Sequence, residues 1–317
     1  MITFNMMVGL PYSGKSYFIN KYKSENDIYI SSDDIRKELY GDESDQTNPN
    51  KVFEIMYKRT CKALSENKSV WYDATNIKSK YRIHLLTNLK HKFNDVHYKC
   101  YVMCTPLKIL LIRQQNRDRF VPATVIDKML RQFEVPMYYE GWNEIELVRM
   151  PDIINRFNAD RYLENNKNVA HDNPHHTLNI FDHMKVAASN YCEDMVKENN
   201  VQELIIYNTL KYHDIGKYYC KTFIDAKGIK FAHYYKDAKG VKSNIAHYYN
   251  HENVGAYYIL TSNITNSDYA LLIIAWLINN HMKFYTNSIS NWINKYNIPQ
   301  SLIDKLEIVH KYDMEAH

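Results

Sequence analysis

Gly9, Ser13, Gly14, Lys15 and Ser16 fall in the stretch GLPYSGKS, which fits G-x-x-x-x-G-K-[ST]. That spacing lets backbone N–H groups curl around phosphate oxygens, with Lys15 reaching the β- and γ-phosphates and Ser16 a Mg²⁺ ion. The apolar run ITFNMMV precedes the loop and a helical pattern follows it, the context in which such a loop binds a nucleotide. Far downstream, His213 and Asp214 in HDIGK close another apolar run, LIIYNTLKYH. An imidazole and a carboxylate at one helix end can share a metal ion. His183 lies upstream in NIFDHMKVA, while His251 (NHENVGA), His281 (INNHMKF) and Asp313 (HKYDME) follow.

A phosphate loop serves ATPases, GTPases and small-molecule kinases alike, so other residues must name the acceptor. SSDDIR supplies Asp33, Asp34 and Arg36; DATN begins at Asp73; IRQQNRDRFVPATVI carries Arg113, Arg117 and Arg119. In this order the motifs resemble the P-loop kinase group that contains phage polynucleotide 5′-kinases and zeta-toxin-like kinases. The resemblance covers residues 1–150 and implies ATP with Mg²⁺, held by Gly9, Ser13, Gly14, Lys15, Ser16, Asp73, Arg113 and Arg117. It further implies that Asp33 takes the proton of the acceptor hydroxyl and that Arg36 holds the acceptor's 3′-phosphate. Arg117, with Arg113, would neutralise the transferring phosphoryl group. Tyr12 departs from the pattern, standing where a small residue is expected. As an alternative to catalysis, Asp33 or Asp34 could cap the helix that begins near Ile35.

The order H…HD…H…H…D resembles the HD phosphohydrolase superfamily. More narrowly, NPHHTLNIFDH, HDIGK, HENVGA and NNHM are similar to the HD domains appended to tRNA nucleotidyltransferases. This resemblance covers residues 171–317. It implies a core metal site of His183, His213, Asp214 and Asp313, and a second metal on His251 and His281 with Asp214 bridging. One or two divalent transition metals (Mn, Fe, Co, Ni or Zn) are expected, with Lys217 facing the scissile phosphate. His171-Asp172 repeats the motif in a Pro/Asn-rich stretch and is read as a decoy. His175 and His176 are substrate contacts or structural residues.

The elements that must position these groups follow two regimes. ITFNMMV, DIYISS, SVWYDAT, HYKCYVM and EIELVR read as strands, alternating with helical patterns such as KVFEIMYKRTCKALSEN and PLKILLIRQQNRDR. Strand–helix alternation predicts a parallel sheet with helices on both faces. Beyond residue 175 the long helical patterns HHTLNIFDHMKVAASNYCEDMVKEN, VQELIIYNTLKYH, DYALLIIAWLINNHM and QSLIDKLEIVHKY dominate. The expected organisation is an α/β P-loop kinase domain over 1–158 and an all-α HD domain over 170–317, with NADRYLENNKNVAHDNP as the linker. DAKGIKFAHYY and DAKGVKSNIAHYY form one internal duplication, too few copies for a solenoid, and predict a β-ribbon or loop between helices.

Bulk properties agree with two domains: 317 residues exceed the usual single core. Nine of the ten arginines lie in residues 1–160, whereas eleven of the fourteen histidines lie in 161–317. Guanidinium groups suit phosphate clamping and imidazoles suit metals. The net charge of +4 is too small to identify a nucleic-acid binder by itself. Five cysteines without CxxC spacing fit free thiols and a cytoplasmic setting. No apolar run reaches a membrane span and the N-terminus does not read as a signal peptide, so no membrane is expected.

Bacterial end-healing enzymes join an HD phosphoesterase to a polynucleotide kinase, and this pairing resembles theirs. The resemblance implies ATP-dependent phosphorylation of 5′-OH ends and metal-dependent removal of 2′,3′-cyclic, 2′- or 3′-phosphate. RNA ends, with DNA as the alternative, and a separate RNA ligase acting downstream are the expected partners. The competing readings are a nucleotide kinase fused to an HD nucleotidase, and a regulatory ATP- and metal-binding module. Lys15, Asp33 and the intact metal set speak against the latter.

Overall fold

The computed structural model describes residues 1–116, 120–150, 156–174, 177–195, 200–236 and 242–316. Two compact units emerge: Met1–Met129 with Pro136–Ile154, and Leu130–Val135 with Asn155–His317.

In the first unit the order is β1 (Thr3–Val8), α1 (Lys15–Tyr22), β2 (Ile28–Ser31), α2 (Ser32–Tyr40), α3 (Pro49–Ser65), β3 (Val70–Asp73), α4 (Ser79–Lys90), β4 (His97–Met103), α5 (Leu107–Gln115), α6 (Ala123–Leu130) and β5 (Glu144–Val148). The five strands read from the sequence form one sheet in the order β2-β3-β1-β4-β5, every neighbouring pair parallel. Phe4 to Val8 are all buried, as a parallel sheet covered on both faces requires. Met7 meets Phe18 and Ile19 of α1 together with Trp71 and Tyr101. On the other face Phe4 packs between Tyr72 and Tyr98, with ring centroids 5.7 and 5.9 Å away. The strand order reverses at β1, so a crevice opens beyond its carboxyl end, where such sheets bind ligands.

The second unit continues with α7 (Ala159–Asn166), α8 (Ile180–Met195), α9 (Val201–Tyr212), α10 (Lys217–Cys220), β6 (Tyr234–Lys236), β7 (Lys242–Asn244), α11 (His251–Leu260), α12 (Asp268–Asn280), α13 (Ile289–Tyr296) and α14 (Gln300–Met314). Every residue of α12 from Ala270 to Asn280 is buried, the mark of a helix surrounded by others. Its Asn279 side chain donates to the Phe133 carbonyl at 3.2 Å and accepts from Val135 N at 2.9 Å, tying Leu130–Val135 into this unit.

The stretch expected to be a linker is partly helical. Asn158 caps α7 by accepting from Arg161 N, Ala159 and Leu163 are buried, and Tyr212 donates to Asp160 at 2.7 Å. The polar sequence reads as a linker because about two turns of an amphipathic helix need few apolar residues. The duplicated DAKG stretch yields β6 and β7, paired antiparallel. Among the described residues, no helix is long and apolar enough to cross a membrane.

Candidate active sites

The phosphate loop leaves β1 at Gly9. A Cβ there would stand 2.8 Å from Ser13 Oγ and 2.9 Å from Met103 Cβ, so the close packing of loop on sheet requires glycine. Gly14 takes φ +96° as the N-cap of α1, turning the helix N-terminus and its free N–H groups toward the loop. Lys15 Nζ donates to the carbonyls of Gly9 and Leu10 at 3.2 and 2.9 Å, and lies across the loop mouth. Ser16 Oγ donates 2.8 Å to Asp73 Oδ2 at the end of β3, which also accepts from Tyr29 at 2.9 Å. Burial, then the Asp73 charge, pushes the Tyr29 phenol up, so it stays a donor. A hydroxyl beside a carboxylate at the loop's edge, with Ser13 Oγ buried and unpartnered, fits a Mg²⁺–nucleotide.

Tyr12 has a structural reason. It adopts φ +64°, a left-handed conformation costing roughly 1–2 kcal/mol in a non-glycine residue. Its hydroxyl accepts from Val121 N at 2.6 Å and its carbonyl from Arg113 Nη1 at 3.1 Å. The loop is thereby joined to the arginine-bearing helix α5. Arg117 and Arg119 lie outside the described residues.

The helix carrying Asp33 and Asp34 is capped by neither. Ser31 accepts from both Asp33 N and Asp34 N, because the helix begins three residues earlier than its apolar pattern suggests. Both carboxylates are thus released from capping. Asp33 Oδ1 pairs with Arg36 Nη1 at 2.7 Å. Partial burial, then the charges of Asp33 and Asp73, raises the Asp34 carboxyl. Arg36 is buried, with its Nε unpartnered; its guanidinium orients Asp33 and retains one buried donor.

In the second unit α8, α9, α11, α12 and α14 bring six residues together. Each histidine is anchored through Nδ1: His183 to Ala316 O (3.1 Å), His213 to Leu210 O (2.8 Å), His251 to Tyr248 O (3.0 Å) and His281 to Ile278 O (2.7 Å). A carbonyl can only accept, so each Nδ1 carries a proton and each Nε2 is the ring nitrogen turned toward the centre. His183 and His213 Nε2 lie 3.2 Å apart, and His251 and His281 Nε2 lie 3.3 Å apart. Asp214 serves both pairs, with Oδ2 3.4 Å from His213 and Oδ1 3.1 Å from His251. Asp313 Oδ1 reaches His183 at 2.9 Å and His213 at 3.2 Å.

These residues fit a divalent metal. Both Asp214 oxygens are fully buried without an aligned hydrogen bond, although imidazoles and an ammonium stand in ion-pair range. Imidazole nitrogens converging on a buried carboxylate are a donor set suited to a divalent cation. Two triads, His183/His213/Asp214 and Asp214/His251/His281, have ligand atoms close enough for one ion each. Burial alone would raise Asp214 and Asp313; Lys217 and His213 hold Asp214 well below the carboxylate range, and His213 and His183 do so for Asp313. Burial lowers His281, keeping it neutral. Burial also opposes charge on His213, but Asp214 and Asp313 push it up to about 10, so metal entry displaces a proton there.

Around this centre the structure adds contacts of His171, Tyr248 and Tyr285 that the sequence did not assign. Lys217 Nζ lies 2.6 Å from Asp214 Oδ2 and 3.0 Å from His171 Nε2. The decoy histidine is therefore not a ligand but sits, buried, on the lysine. Tyr248 donates to the His171 carbonyl, and Tyr285 donates to Asp313 Oδ2 at 2.8 Å. At Gly216 a Cβ would overlap the His251 carbonyl and stand 2.7 Å from Gly255 N, so glycine permits α10 and α11 to close on the metal set. The HDIGK spacing was the available signal for Gly216. His175 and His176 lie outside the described residues.

Residues 5–136 match the family model described as AAA domain. The chain is 27% identical over 257 residues to L-seryl-tRNA(Sec) kinase of Methanococcus maripaludis, covering 75% of this chain and 91% of that protein. Two solved structures of the Pnkp1/Rnl/Hen1 assembly are also similar. The RNA repair complex matches at 23% identity and a TM-score of 0.34, over 41% of this chain and 43% of that one. A second structure of the complex matches at 22% and 0.30, over 38% and 43%. This chain thus spans under half the length of those solved chains. The N-terminal unit is a P-loop, kinase-like nucleotide-binding domain.

Proposed function

We propose that the protein heals nucleic-acid ends with two separate centres. The first phosphorylates 5′-OH ends from ATP; the second is an HD-type phosphohydrolase that removes 2′,3′-cyclic, 2′- or 3′-phosphate from RNA ends. The observation that carries this reading is the buried set of four Nδ1-anchored imidazoles and two aspartates in a chain that also holds a phosphate loop.

In the kinase centre Lys15, Arg113 and Arg117 are the cations that offset the γ-phosphoryl charge, while Ser16 and Asp73 hold Mg²⁺. Asp33, oriented by Arg36, accepts the proton of the attacking hydroxyl. This division of labour suits a transfer governed by positioning and charge. In the second centre His183, His213, Asp214 and Asp313 hold one metal, with His251 and His281 available for another. Divalent metals supply Lewis acidity and a water of lowered pKa. Lys217 is the cation assigned to the phosphate oxygens, and the Nδ1 anchors keep every imidazole in its ligating tautomer.

A second reading of the kinase centre comes from the curated relative, whose name describes a kinase for seryl-tRNA. The acceptor would then be a hydroxyl on an aminoacylated tRNA. One experiment tests both readings and the nucleotide-kinase alternative: γ-labelled ATP supplied with a 5′-OH oligoribonucleotide, seryl-tRNA or free nucleosides. Preferential labelling of the oligonucleotide 5′ end supports end healing. Exclusive labelling of seryl-tRNA or of nucleosides overturns it.

A further inference from the structure

We infer that residues 222–236 and 242–248 form an arm whose surface docks a single-stranded nucleic acid, delivering its phosphorylated end to the histidine–aspartate centre. This deepens the phosphohydrolase reading above and rests on it.

The arm is built as a meander. Asp225 turns its first hairpin, accepting from Lys227 N at 2.9 Å and Ile229 N at 2.8 Å, and Phe231 N donates back to Phe223 O at 2.8 Å. β6 and β7 form the second hairpin. Thr222 and His247 close the root by exchanging hydrogen bonds of 3.0 and 2.7 Å. That root lies between two members of the centre: Lys217 precedes Lys221 by one helical turn, and His251 follows Tyr249.

Its surface is cationic and aromatic. Among its described residues Lys227, Lys230, Lys236 and Lys242 are exposed, while Lys221 at the root pairs with Asp172 at 2.6 Å. Among the described residues of the arm, Asp225 is the one acid, and it is largely buried under its own turn. Phe231 and Tyr234 are half exposed, at 50% and 52%. Ammonium groups accompany them, with Lys230 Nζ 5.1 Å from the Phe231 ring and Lys242 Nζ 3.7 Å from that of Tyr234. Rings for unpaired bases, interleaved with cations for phosphates, are what single strands recognise without regard to sequence. A duplex offers no free base faces to these rings.

Binding of a 3′-phosphorylated oligoribonucleotide, its 5′ end blocked by a fluorophore, is measured by anisotropy at several salt concentrations. The full-length protein is compared with Lys230→Ala/Phe231→Ala/Tyr234→Ala/Lys242→Ala, and with Lys227→Glu/Lys230→Glu, which leaves the rings intact. Both variants should bind about 10- to 100-fold more weakly, with a shallower salt dependence. Both should still hydrolyse bis(p-nitrophenyl) phosphate like wild type. Equal affinity of wild type and both variants, or no binding by wild type, overturns the inference. Competition by polyglutamate as effective as by RNA assigns the arm to an acidic protein and also overturns it. Failure of the wild type to hydrolyse the small diester instead overturns the phosphohydrolase reading, while the binding comparison still decides the role of the arm.

Discussion

Tyr285 reaches the ligand set from outside it, donating to Asp313 Oδ2 and leaving Oδ1 toward His183 and His213. Its phenol is pushed up by burial and then by Asp313, so it remains a donor throughout the working pH range. Tyr285→Phe keeps the ring and removes that bond; metal affinity should fall roughly 10- to 100-fold, read by chelator competition. His171→Ala should act differently. It frees Lys217 from its contact at Nε2 without removing a ligand, so hydrolysis slows while metal content holds. Wild-type hydrolysis in that variant would return His171 to the status of a decoy. That the four histidines and two aspartates come together was legible because each lies in a short motif and the six keep a fixed order. Tyr285 and His171 were not, because their contacts span 28 and 46 residues of chain and neither residue type is distinctive.

At the scale of elements, the approach of α10 to α11 depends on one missing side chain. Gly216→Ala must push the His251 backbone away from Asp214, separating ligands that now stand 3.1 Å apart. The change should cost about 1–3 kcal/mol of stability and lower metal content, measured by thermal melting before and after chelation. Unchanged melting in both states would show that the helices can part without disturbing the centre. The five strands were readable because a buried parallel strand is a short apolar run between turns. The start of α2 was misplaced because Ser31 and Ser32 carry no apolar signal; capping is a property of a hydroxyl's direction. Leu130–Val135 join the second unit through long-range contacts, among them those of Asn279 and the Phe133–Tyr257 ring pair, which no window of sequence contains.

For the whole molecule, the account requires two centres that fail separately. Lys15→Ala should lower 5′-phosphorylation by at least about 10²-fold, since it removes a charge directed at the transferring group, and should leave hydrolysis intact. Asp214→Ala should abolish metal binding and hydrolysis, because the shared carboxylate of both triads is gone, and should leave phosphorylation intact. The most direct test follows both ends of one break. An RNA cleaved to leave a 2′,3′-cyclic phosphate and a 5′-OH is incubated with the metal-loaded protein and ATP, and both fragments are weighed by mass spectrometry. With two working centres, one fragment loses its terminal phosphate while the other gains a 5′-phosphate, each change vanishing in its own variant. Unchanged fragments, in a preparation that phosphorylates or hydrolyses free nucleotides, would contradict the end-healing reading.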